Sequence, residues 1–282
     1  MIFLILLIIF FALFNVIMRA AQRAWLNLYL LGVILFFTAA AFYLVLCLRQ
    51  PTALSPQVIV LALVAGVLFN FMYVLMIPTM SDRGVSIMTA LQQLSLLFPL
   101  LASLVLYHEH PSLINAIGAG LCLVAMPFLS LDKGLSGQGV TGRKLLIFIG
   151  LMVVNGVALT ASKVFYEFKL PEQLNGYMLI LTATAGVTML PFAIAGRRST
   201  PPKPPAQVVA WGVAMGLSLA LGQMFMLITL RYYPGVVAYP VTQALNVSLV
   251  TLGSGFLWQE WPRPLARIGI GLAILAVVLV NL

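Results

Sequence analysis

Apolar positions fill this chain almost end to end, and the polar residues that interrupt them fall at nearly regular intervals. Ten mainly apolar runs can be marked, at 2–18, 25–48, 57–77, 85–107, 112–131, 145–163, 174–195, 208–230, 236–258 and 264–281. Most approach the roughly 20 residues that a helix needs to cross the hydrocarbon core of a bilayer. A helix is the expected form, because water is absent there and each backbone amide must bond within its own segment. The pattern predicts an all-α integral membrane protein of ten transmembrane helices, with no connection long enough to hold a soluble domain.

The breaks are chemically plain: Arg49 to Pro51, Pro78 to Gly84, Asp132 to Lys144, Gly196 to Gln207, and Arg231 to Gly235. Among them, RRSTPPKPPAQ is proline-rich and reads as a stiff spacer. DKGLSGQGVTGRK, residues 132–144, is glycine-rich and can absorb relative motion. It also separates two related halves. The run YHEHPSLINAIGAG from Tyr107 returns as WQEWPRPLARIGIG from Trp258, and Glu109 with Glu260, Pro111 with Pro262, Gly118 with Gly269 and Gly120 with Gly271 are all 151 residues apart. Gln92 and Gln243 share that offset, as do Gly84 and Gly235. At slightly different offsets, Asn27 and Tyr29 match Asn175 and Tyr177, and Asn15 and Arg23 match Asn155 and Lys163. The expected organisation is a repeat over 1–131, a linker over 132–144 and a second repeat over 145–282. Five spans per half is an odd number, so the second half must enter the membrane from the opposite side. That makes an inverted repeat, an arrangement common in transporters.

Composition agrees. Hydrophobic residues make up 62% of the chain and charged residues 7%, with a mean hydropathy of +1.11; soluble domains carry about 25% charged residues. The formal charge of +9 does not point to nucleic acid, because the basic residues are scattered singly through short connections. They read as topology determinants. Counted by connection, 11 Lys and Arg fall on the side of the odd-numbered loops and 4 on the other. By the positive-inside rule the first side is cytoplasmic and both termini face outward. The N-terminal run lacks a basic region and a small-residue cleavage site, so it is read as the first span rather than a removed leader. Cys47 and Cys122 lie in separate apolar runs and suggest neither a disulfide nor a metal pair.

The ends of the two halves resemble the drug/metabolite transporter superfamily, specifically its ten-span EamA-type members. The likeness rests on Leu106, Tyr107, His108, Glu109, Pro111 and Ser112 with Gly118 and Gly120, and on Leu257, Trp258, Gln259, Glu260 and Pro262 with Gly269 and Gly271. The resemblance implies a basket of two five-helix halves, with the first, third and fourth helices of each half around a central cavity and the fifth as scaffold. It implies a small solute as cargo without specifying which. Four-span relatives couple export to protons through a glutamate in their first helix, but spans 2–18 and 145–163 hold no acid, so the resemblance does not extend to that coupling.

Uncharged polar residues within the spans are the substrate-site candidates, since an unpaired polar group in a bilayer is costly. They also serve as interhelical ties. Gln92, Gln93 and Ser95 sit together, as do Tyr239, Gln243 and Asn246, and the pairs Gln92/Ser95 and Gln243/Asn246 each share a helical face. Asn70, Tyr73 and Gln223 can complete the lining, and Asn15 and Asn155 occupy matching places in the first helix of each half. Arg23 and Lys163 are read as headgroup anchors or as gates for an anion. Glu109 and Glu260 are read as loop residues that form an electrostatic cap or a tie to a neighbouring basic residue, ahead of a role in gating, proton coupling or catalysis. His108 and His110 flank Glu109, but no further ligand accompanies them, so no metal site is expected. Pro99 and Pro240 can kink their helices.

The resulting expectation is a secondary transporter working by alternating access, in a cell membrane such as a bacterial inner membrane. A lipid or polyprenyl-phosphate flippase of the same fold is the alternative. An intramembrane enzyme would need a nucleophile and base, paired carboxylates or a metal cluster at membrane depth, and none is visible. The expected partners are a small-molecule solute and the lipid bilayer, with no nucleic acid and no cofactor. Oligomeric state, a homodimer included, is left open.

Overall fold

The computed structural model describes residues 2–79, 95–109, 111–131, 142–168, 170–196, 205–259 and 264–280. Among the described residues the chain is almost wholly helical, and no strand occurs. The helices are α1 (Ile2–Arg23), α2 (Leu28–Arg49), α3 (Pro56–Thr79), α4 (Leu97–Leu101), α5 (Leu113–Leu131), α6 (Gly142–Glu167), α7 (Leu174–Gly196), α8 (Pro205–Thr229), α9 (Gly235–Trp258) and α10 (Pro264–Val280). A π-helical turn, Ala102–Leu106, continues α4.

Seven of these are long and apolar enough to cross a membrane: α1, α2, α3, α6, α7 with its preceding 3-10 turn, α8 and α9. Shorter apolar helices cover Leu97–Leu106, Ala116–Ala125 and Arg267–Ala276. Of the run expected at 85–107, residues 97–106 are helical, and its first part, up to residue 94, lies outside the described residues. Large apolar side chains face outward on these helices, including Leu48 at 74%, Val105 at 62% and Phe256 at 74% exposure. A surface of that kind belongs in lipid rather than water. The protein is a multi-pass integral membrane protein.

Polar residues near helix ends do less to stop the helices than their sequence positions suggest. α1 runs through Arg19 to Arg23, and α6 begins at Gly142, inside the expected linker, and continues past Lys163 to Glu167. In a bilayer a helix that continues satisfies its own amides, which outweighs the weak propensity of a few polar residues. α2 starts where it does because Asn27 caps it. The Asn27 side-chain Oδ1 accepts from the N–H groups of Tyr29 and Leu30 at 3.0 and 3.1 Å, and its Nδ2 donates to the Gly196 carbonyl at 3.1 Å.

Most of the main packing contacts among the described residues come in matched sets. α2 packs on α7 and α5 on α10; α1 packs on α8 and α3 on α6; α2 packs on α8 and α3 on α7; α1 packs on α9 and α4 on α6. Exchanging α1 through α5 for α6 through α10 in order turns each of these contacts into itself or into the other member of its set. Contact details match as well. A Cβ at Gly66 of α3 would stand 2.4 Å from the Leu181 carbonyl oxygen and 2.7 Å from Thr184 Cβ of α7. One at Gly216 of α8 would stand 2.6 Å from the Leu35 carbonyl oxygen and 2.7 Å from Thr38 Cβ of α2. Both glycines permit backbone-to-backbone packing without the hydrophobic drive that water supplies. The loop before each Glu-x-Pro segment bends alike too, with His108 at φ 49° and Gln259, its equivalent 151 residues on, at φ 57°.

Candidate functional site

Asn155, Leu159, Lys163 and Glu167 recur at intervals of four on α6 and so form one face of that helix. Each is tied to another group. Asn155 Nδ2 donates to Ser95 Oγ at 2.5 Å, just before α4. The Leu159 carbonyl accepts from the Tyr239 hydroxyl of α9 at 3.4 Å. Lys163 Nζ donates to Glu109 Oε1 and to Glu167 Oε1, and its side chain is fully buried. The rings of Tyr107 and Tyr166 each lie 5.2 Å from the ammonium, close enough for cation–π attraction.

Glu109 reaches this cluster through its loop. The π turn closes with Tyr107 N–H on the Ala102 carbonyl at 3.1 Å, the left-handed His108 turns the chain back, and Glu109 N–H bonds the Ser103 carbonyl at 3.0 Å. The carboxylate then accepts from the first amides of α9, Gly235 N–H at 3.2 Å and Val236 N–H at 3.1 Å. A helix N-terminus carries partial positive charge and free donors, so it favours an anion there. Glycine at 235 leaves room for Ser103, since a Cβ there would stand 2.5 Å from Ser103 Oγ and the hydroxyl would have to turn away. Burial alone would push the Glu109 carboxyl up, but Lys163 and the Val236 and Gly235 amides together hold it below the ordinary carboxylate range.

The remaining candidates divide by whether their polar atoms are engaged. Asn70 of α3 is 1% exposed, and both its side-chain nitrogen and oxygen lack partners. On α9, Thr242 Oγ1 and Asn246 Oδ1 are likewise buried and unpartnered. Tyr73 is spent on structure, its hydroxyl donating to the Leu28 carbonyl at 3.0 Å. Asn15 Nδ2 bonds back to the Phe11 carbonyl of its own helix at 2.8 Å. Gln223 and Gln243 are half-buried on α8 and α9, and Arg23 is exposed at the end of α1. Gln92, Gln93, His110 and Glu260 lie outside the described residues.

Lys163 departs from the headgroup anchor expected of it, because two carboxylates and two aromatic rings enclose its charge inside the protein. The expected tie from Glu109 to a basic residue is present, although the partner comes from the other half of the chain. Glu167, Thr242 and the tyrosines around Lys163 were not among the sequence candidates. Glu167 stands four residues beyond Lys163, a spacing that signals an ion pair on a helix. Thr242 carries no such mark.

The sequence model of the EamA-like transporter family matches residues 142–282, one half of the chain. The chain belongs to the EamA-like transporter family. Members are transporters rather than enzymes. This EamA-like chain is also similar to a solved crystal structure described only as that of a protein, with 16% identity, a TM-score of 0.74, and coverage of 99% of this chain and 94% of that one. At that identity the likeness establishes the fold alone. Comparison with curated proteins found no match.

Proposed function

We propose that this protein is a secondary transporter that carries a small uncharged, zwitterionic or amphipathic solute by alternating access. Ten spans in two inverted five-helix repeats surround a cavity lined by α1, α3, α4, α6, α8 and α9, in a cell membrane with both termini outside. The observation that carries this reading is the exchange relation between the packing contacts of the two halves. Two related halves packed mainly on each other can swap conformations and expose one site to each side in turn.

The substrate class follows from charge and hydrogen-bonding capacity. Asn70, Thr242 and Asn246 hold buried donors and acceptors with no protein partner. An unmet group of this kind costs about 1–3 kcal/mol, which a bound solute or water can offset. None of the three is charged, and Lys163 already faces two carboxylates. For the same reason Lys163 offers little to a lipid phosphate, which weighs against the flippase reading.

The test is uptake or counterflow of a metabolite panel by purified protein in proteoliposomes. Transport that depends on Asn70, Thr242, Gln92 and Gln243 supports the proposal. Failure to move any of the panel, or transport untouched by those substitutions, defeats the site assignment.

A further inference from the structure

The two halves are related in sequence and packing, yet equivalent seams between them are bonded differently. At the α4/α6 seam, Asn155 bonds Ser95 at 2.5 Å, and a Cβ at Gly156 would stand 2.4 Å from the Phe98 ring. The offsets of 140 for the first helix of each half and 151 for the fourth carry Asn155 to Asn15, Gly156 to Val16, Ser95 to Asn246 and Phe98 to Leu249. At that second seam, α1/α9, the matching bond is not made. Asn15 Nδ2 turns back to its own helix at Phe11, and Asn246 Oδ1 is buried with no partner. Leu249 is 40% exposed. Val16 instead lies 3.8 Å from where a Cβ on Gly253 would be, one helical turn beyond Leu249. The backbone differs as well, being π-helical over Ala102–Leu106 and α-helical over the equivalent Gly253–Leu257.

We infer that Asn155–Ser95 and Asn15–Asn246 are alternative latches, one closed in each of the two end states of the transporter. This rests on the inverted-repeat reading above and adds to it which residues exchange. When the α4/α6 seam opens, Asn155 and Ser95 part. When the α1/α9 seam closes, the Asn15 amide leaves Phe11 and donates to Asn246 Oδ1. The Asn155–Ser95 and Asn15–Phe11 bonds are given up, and Asn15–Asn246 is formed while Asn155 turns back to the Leu151 carbonyl, the equivalent of Phe11, so the number of bonds is kept. The states therefore stay close enough in free energy for both to be populated, as alternation requires. The Lys163, Glu109 and α9 N-terminus cluster lies two turns from Asn155 on α6 and reinforces the latch that is closed here.

The experiment uses the full chain with Cys47→Ala and Cys122→Ala, carrying either Ser95→Cys with Asn155→Cys or Asn15→Cys with Asn246→Cys. Disulfide formation is measured in proteoliposomes. The first pair should cross-link readily and the second in a minor fraction. Adding Glu109→Gln should lower the first yield and raise the second, and Gly156→Ala, which wedges Phe98 off α6, should do the same through a different contact. Yields that rise or fall together, or a second pair that never forms while the first is weakened, overturn the inference. Reciprocal yields in a protein that moves no solute uphold the latches and sink the transport reading instead.

Discussion

Lys163 and Glu109 stand 54 residues apart in the chain and meet in a buried ion pair that joins the two halves of the protein. The carboxylate is held at three points, by the ammonium and by the Gly235 and Val236 amides. Replacing Lys163 by Met leaves two carboxylates facing each other without a cation. The loss should be about 3 kcal/mol, the low end for breaking a buried pair, because Glu109 and Glu167 keep 16% and 24% exposure. Thermal unfolding in detergent measures it. The double change Glu109→Gln with Lys163→Met should cost less than the sum of the two singles; additive losses would show that the pair does not interact.

The same contact sets a pH response. The folded Glu109 carboxyl titrates below its ordinary value of 4.5, so folding favours the ionised form. Its stabilisation is fully present above 4.5 and is lost as pH falls through the lower folded value. The gap in melting temperature between wild type and Glu109→Gln should therefore narrow as the medium is acidified below 4.5. A gap that stays constant through that range would remove the ionised Glu109 from the account.

Gly156 and Gly271 should respond oppositely to the same substitution. An alanine Cβ at Gly156 would stand 2.4 Å from Phe98, whereas nothing lies within 4 Å of one at Gly271. Gly156→Ala should lose about 1–3 kcal/mol to overpacking, less the intrinsic gain of alanine over glycine in a helix. Gly271→Ala should be neutral or slightly stabilising. Paired melting curves decide it, and equal behaviour at the two sites would contradict the close α4/α6 approach.

Asn70→Leu and Thr242→Val separate binding from structure. Both remove buried polar atoms that lack a protein partner, so stability should hold or rise. Solute uptake should fall, chiefly through a higher KM. Variants that lose stability instead, with uptake unchanged, would mark these residues as structural.

The sequence by itself determined that this is a helical membrane protein in which one motif recurs 151 residues on. Apolar runs of bilayer length leave the backbone no other way to satisfy its amides, and duplication preserves spacing, so an offset of 151 is readable without coordinates. It also pointed to Glu109, Lys163 and the buried amides, because polar groups are conspicuous on an apolar background. Which of them meet was a matter for the tertiary structure. Lys163 is buried rather than at a headgroup because the left-handed turn at His108 delivers Glu109, and α9 presents its first amides, to one face of α6. Pairings over such separations depend on how helices cross, and side-chain spacing along one helix carries no record of that. Nor could the offset reveal that Asn155 bonds Ser95 while the corresponding Asn15 bonds its own helix. Like sequences specify like helices, and only their packing against each other decides which side chains meet.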